Sequence, residues 1–110
     1  MSIRVGGERY AVPVENVREI ADFGLVAPLP GAGPAVLGVR NLRGQVLPVF
    51  DLAAVLGVER ADGPLRILVA EDGGRRAGLA VDDVTDVGEE SDGATRLAAA
   101  DLFAALARTA

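Results

Sequence analysis

Residues 38–52 read Gly38-Val39-Arg40-Asn41-Leu42-Arg43-Gly44-Gln45-Val46-Leu47-Pro48-Val49-Phe50-Asp51-Leu52. The apolar run Val36-Leu37-Gly38-Val39 leads into this stretch. The tetrad Asn41-Leu42-Arg43-Gly44 is a polar turn, and Val46 to Phe50 returns as a strand. Asp51 has the character of a helix N-cap, because its carboxylate can accept the free N–H groups of a first helical turn. Leu52, Val55 and Leu56 form the stripe that such a helix would bury, and Gly57 stops it. Arg40 and Arg43 flank the turn between two apolar strands. There a rigid guanidinium fork would be presented to a binding partner. Gly38 and Gly44 serve backbone turning rather than phosphate binding, since the residues between them match no phosphate loop.

Upstream, Ile3 to Val14 reads as two short strands joined by Gly6-Gly7, a pair able to supply the positive φ of a tight hairpin. Tyr10, Val12 and Val14 alternate with smaller residues and point to one face. Pro13 has no N–H to donate and so sits at a sheet edge. Val17, Ile20 and Phe23 recur at a spacing that fits a helical turn or a bent strand. Ala27 to Pro34 contains Pro28, Pro30, Pro34 and two glycines and is a loop.

Downstream, Arg66 to Ala70 is an apolar strand, Glu71-Asp72-Gly73-Gly74 a second hairpin turn, and Ala77 to Val81 the returning strand. Val84 and Val87 extend that strand. Gly88 to Thr95 is polar and loop-like. Leu97, Leu102, Phe103 and Leu106 predict a short amphipathic helix. Six or seven short strands, tight turns and two short helices predict a mainly β, barrel-type fold.

The 110 residues make up one domain's worth of chain, half of it hydrophobic. Eleven basic residues, all Arg, stand against sixteen acidic ones, for a net charge of −5. That balance argues against binding nucleic acid or an anionic membrane. The commonest general base and the thiol nucleophile are both missing, because the chain has no His and no Cys. Ser2 and Ser91 lie outside any nucleophile-elbow context. These absences predict a protein that is not an enzyme. Lack of Cys also excludes disulfides and thiolate metal sites. No apolar run approaches the ~20 residues that span a bilayer, and no signal peptide is visible, so a cytoplasmic location is expected. Asp82, Asp83, Asp86, Glu89, Glu90 and Asp92 cluster within residues 82–92. A divalent-ion-binding module is the alternative reading of that tract. The spacing does not fit an EF-hand, and a solvated acidic face is the simpler account.

The 38–52 stretch resembles the signature of the CheW family of chemotaxis coupling proteins. That pattern is a glycine, Asn-Leu-Arg-Gly, and a strand ending Pro-Val-x-Asp-Leu. Tyr10-Ala11-Val12-Pro13-Val14 with Val17-x-Glu19-Ile20 is similar to the family's opening. Ile67 to Glu71, the glycine pair, and Gly78-Leu79-Ala80-Val81-Asp82-x-Val84 are similar to its second half. The resemblance implies two small Src-homology-3-like five-stranded barrels and a closing helix. Family members continue for a few dozen residues beyond the segment matching Val81 to Val87, so the second barrel is expected to be reduced. The chain is similar in this respect to the short CheW-like proteins of Frz-type systems. The expected layout is a first barrel over about 3–57, a reduced second barrel over about 65–87 and a helix over about 97–107.

The resemblance also implies an adaptor with no active site and no cofactor. Such an adaptor bridges a chemoreceptor's cytoplasmic tip and the regulatory domain of a CheA-type histidine kinase. The partner-binding residues carried over are Val17, Glu19, Ile20, Gly38, Asn41, Leu42, Arg43 and Gly44. With the signature intact and the second barrel reduced, receptor docking is expected to persist, with kinase coupling weak or lost. The alternative is a standard coupling protein that tolerates the reduction. Self-association covering exposed strand edges is left open.

Overall fold

The computed structural model describes residues 1–85 and 93–110. Nine strands, two α-helices and one 3-10 helix occur among them. Strands β1 (Ser2–Val5) and β2 (Glu8–Ala11) form the first hairpin through Gly6-Gly7. β2 stops at Ala11. Val14–Asn16 form a 3-10 helix instead of a continuing strand, and Val14 is exposed rather than aligned with the buried Tyr10 and Val12. Pro13 explains the stop, since it cannot extend the ladder and its carbonyl accepts from Asn16 N–H.

β3 (Val17–Asp22) is the bent strand of the two expected forms, with a register shift between Val17 and Glu19. β4 (Val36–Leu42) and β5 (Gln45–Asp51) are the signature hairpin. α1 (Leu52–Leu56) follows directly. The Asp51 carboxylate accepts from Ala53 N–H at 3.2 Å, and Gly57 closes the helix in the left-handed region. β6 (Arg66–Asp72) and β7 (Arg75–Val81) pair through Gly73-Gly74. The chain then bends at Asp82. β8 (Asp83–Val84) leaves the β7 ladder and pairs with β1, so Val84 does not extend β7. Val87 lies outside the described residues. β9 (Thr95–Arg96) runs parallel to β2 where a loop end was expected. α2 (Ala99–Thr109) closes the described chain.

Two sheets result. One has the order β3-β6-β7-β5-β4, the other β8-β1-β2-β9. The five strands of the larger sheet come from both sides of the expected 57/65 boundary, because β5 pairs in parallel with β7. β3 and β4 are its opposite edges, yet they meet. Glu19 on β3 contacts Arg43 beside β4, Arg40 donates to the Asp22 carbonyl, and Ala27 bridges Val39 through N–H···O bonds of 2.9 and 2.8 Å. The larger sheet is thus a barrel. Leu47, Val49, Ile67, Val69 and Ala80 fill it. The main core lies between the two sheets, built from Ile3, Val5, Tyr10, Phe50, Leu68 and Leu79 on the strands, Val12 just beyond β2, and Leu102, Phe103 and Leu106 on α2. A mainly β fold of one barrel, one smaller four-stranded sheet and a short C-terminal helix agrees with the fold class expected from the sequence. Among the described residues, no helix is long and apolar enough to cross a membrane.

Candidate partner-binding site

The β4–β5 turn has two residues, with Leu42 paired to Gln45 across it. Asn41 and Leu42 are therefore strand residues, and Arg43-Gly44 alone turn the chain. Their φ values of 53° and 82° are those of a type I′ turn. Arg43 is the one non-glycine residue with positive φ among the described residues. The Asn41 side chain holds the turn by accepting from Gly44 N–H at 3.0 Å. This geometry pushes Arg43 outward, with 80% of its side chain exposed. Its Nε donates to the Glu19 carboxylate, 3.2 Å from Oε1 and 3.3 Å from Oε2.

Gly38 is buried beneath this hairpin, with φ at 147°. A Cβ there would stand 2.0 Å from the Ala27 carbonyl oxygen. Only glycine lets the Val26–Ala27 segment lie against β4, so Gly38 shapes the surface from below. Arg40 is instead folded along the surface, lying against Gly24 and donating to the Asp22 carbonyl, so of the two arginines flanking the turn Arg43 is the one that projects outward.

A groove of about 300 Å³ opens between β3 and the β4–β5 hairpin. Arg18, Glu19, Arg43, Gln45 and Arg76 rim it, and Leu42, Leu47 and Val69 form its floor. The bulge in β3 sorts the residues of that strand. Glu19 pairs opposite Val69 and faces the groove, whereas Val17 and Ile20 pair opposite Ala70 and Leu68 and pack, partly exposed, on the main core. The structure thus gathers Glu19, Leu42 and Arg43 at one groove, with Asn41 and Gly44 holding its turn. It places Val17 and Ile20 on the other face of β3.

Sequence reasoning missed the far rim. Glu71 Oε1 accepts from Arg18 Nε at 2.6 Å and from Arg76 Nε at 2.8 Å, and Arg76 also donates to the Gln45 side chain. The hydrogen bond from Arg18, then that from Arg76, holds the Glu71 carboxyl below the usual value of 4.5. The same bond pushes the Arg18 guanidinium upward. The signal available in the sequence was the Arg75-Arg76 pair directly after the Gly73-Gly74 turn, which puts Arg76 in register with Glu71.

The acidic tract is divided. Asp82 accepts from Gly6 N–H at 2.7 Å and Ala61 N–H at 3.3 Å, while Asp83 pairs with Arg4 at 3.2 Å. The Asp82 bonds tie the end of β7 to the β1–β2 turn, whereas the Arg4–Asp83 pair lies within the smaller sheet. Asp86, Glu89, Glu90 and Asp92 lie outside the described residues. Among the described residues, no three acidic groups converge as metal ligands.

A barrel and a smaller sheet sharing one core, with a charged groove at the barrel's closing edge, define a mainly β interaction module. The model of the CheW-like domain family matches residues 1–99. The chain belongs to that family, whose members are scaffolds and adaptors rather than enzymes. It is 43% identical over 94 residues to the chemotaxis protein CheW of Rhizobium meliloti (strain 1021), covering 84% of this chain and 61% of that protein. It is 42% identical over 83 residues to protein FrzA of Myxococcus xanthus, covering 74% and 52%. The crystal structure of the scaffolding protein TtCheW from Thermoanaerobacter tengcongensis superposes with a TM-score of 0.75 at 28% identity, covering 83% of this chain and 64% of that one. The chain spans between about half and two-thirds of the length of these relatives.

Proposed function

We propose that this chain is a non-enzymatic adaptor of a bacterial chemosensory system that docks the cytoplasmic tip of a chemoreceptor. It works in the cytoplasm, without cofactor, and contacts neither nucleic acid nor membrane. The observation that carries the reading is the Glu19–Arg43 pair at the mouth of an apolar-floored groove. A guanidinium fork beside apolar side chains is the composition of a binding hot spot. Membership of the CheW-like family supports a chemoreceptor as the partner class. The rest of the predicted contact set has supporting roles: Gly38, Asn41 and Gly44 set the turn and its base, and Val17 and Ile20 anchor β3 on the main core from its opposite face.

Coupling to a CheA-type kinase regulatory domain is weak or absent in this proposal. The smaller sheet would carry that contact, and its strands β8 and β9 have only two residues each. Calorimetric titration against the receptor signalling domain and, separately, the kinase regulatory domain tests both halves. Receptor binding that falls at least tenfold in Arg43→Asn, with no kinase heat, is the expected result; such a loss is what removal of a hot spot produces, about 1.4 kcal/mol or more. Equal binding of both partners would restore the ordinary coupling role. Absence of receptor binding would sink the adaptor reading.

A further inference from the structure

We infer that the groove takes a carboxylate side chain of the partner, set one helical turn from an aliphatic one. The inference rests on the receptor-docking reading and names the chemistry of that contact. The whole chain carries a net charge of −5, yet the groove reverses the sign. Arg18, Arg43 and Arg76 rim it against Glu19 alone, and even with Glu71 behind them three guanidinium groups face two carboxylates. Their donors are far from used. Among the described residues, Arg43 bonds through Nε only and Arg18 through Nε only, although each guanidinium has five N–H groups. Their terminal nitrogens are left to bind an incoming acceptor.

A planar carboxylate matches such a fork in bidentate geometry, which a neutral amide or hydroxyl does not. The floor, buried Leu47 and Val69, offers no polar group and calls for an aliphatic side chain beside the acid. On a helix, positions three or four apart share a face, so a helical segment of the partner would supply both groups from one side. Glu19 and Glu71 fix the guanidinium planes beforehand, so little rotamer entropy is lost on binding.

The experiment titrates the full chain with a chemoreceptor cytoplasmic hairpin and with hairpin variants in which each tip Glu or Asp is changed to Gln or Asn. One such change is expected to weaken binding by ~10-fold, the usual worth of a charge-assisted hydrogen bond. The same change should have little effect on Arg43→Gln, since the two losses share one contact. Raising the salt from low to physiological should slow association of the unmodified hairpin. If every neutral variant binds as tightly as the parent hairpin, or the losses simply add, the carboxylate contact is wrong while receptor docking stands. If the unmodified hairpin does not bind, the docking reading itself fails, and this inference with it.

Discussion

Arg43 occupies a backbone conformation for which glycine or asparagine is the ordinary choice. Left-handed residues other than these cost roughly 1–2 kcal/mol, and an exposed ion pair such as Glu19–Arg43 returns only ~0.2–1 kcal/mol. Stability therefore does not explain the arginine, and the docking role proposed for its fork would. Gly38 is the opposite case, a residue dictated by space. Gly38→Ala must drive a methyl into the Ala27 carbonyl at a positive φ. It should destabilise the protein by about 1–3 kcal/mol, and a urea midpoint unmoved in that variant would refute the close approach.

Glu71 makes the charge network pH-sensitive. Its folded pKa is below the ordinary 4.5, so the folded state binds its proton less readily than the unfolded chain does. The stabilisation is complete above pH ~4.5 and fades as pH falls through the lowered value. Urea midpoints measured from neutral to acid pH should show a shallower acid-side decline in Glu71→Gln than in the parent. Identical slopes would remove Glu71 from the network. Of these pairings, only Glu71 with Arg76 across the Gly73-Gly74 turn could be read from residue spacing. Glu19 and Arg43 are 24 positions apart and meet only because the sheet closes. The turn itself was legible, since Arg43-Gly44 between apolar runs needs no distant partner to be recognised.

Among the elements, α2 does the most covering for its length. Leu102, Phe103 and Leu106 enter the main core, and Phe103 also carries the Arg75 guanidinium over its ring at 5.0 Å. Phe103→Ala should cost ~3–5 kcal/mol, whereas Arg75→Ala should cost no more than ~1 kcal/mol, because an exposed cation–π contact is weak. Thermal melts of the two variants check the ordering, and equal losses would mean that α2 is held by charge rather than burial. The helix was readable from its apolar spacing, as were the three hairpins from their turns. β8 and β9 were not, because two residues carry no periodicity. β3 stayed ambiguous until the structure exposed its bulge, which breaks the alternation that marks a strand.

At the scale of the whole molecule, the barrel and the smaller sheet do not have separate interiors. Ile3, Val5 and Tyr10 from one sheet share a core with Leu68, Leu79 and Val81 from the other. Asp82 stitches the two by accepting from the Gly6 turn and from Ala61. Unfolding should be a single cooperative transition with calorimetric and van't Hoff enthalpies equal. Two resolved transitions would show that the sheets melt independently. The barrel class could be anticipated from the number of short strands, but strand order could not. The parallel contact of Val49 with Gly78 depends on which edges find each other in three dimensions.

The smaller sheet pairs Arg4 with Asp83 and Tyr10 with Thr95. Its hairpin is made at one end of the sequence and its flanking strands at the other. On the ribosome, β1 and β2 emerge first and must wait with both edges bare until the last quarter of the domain leaves the exit tunnel. Such long-range closure makes for slow folding and a sticky nascent chain. The interval before β8 and β9 arrive is when this small domain has most need of a chaperone.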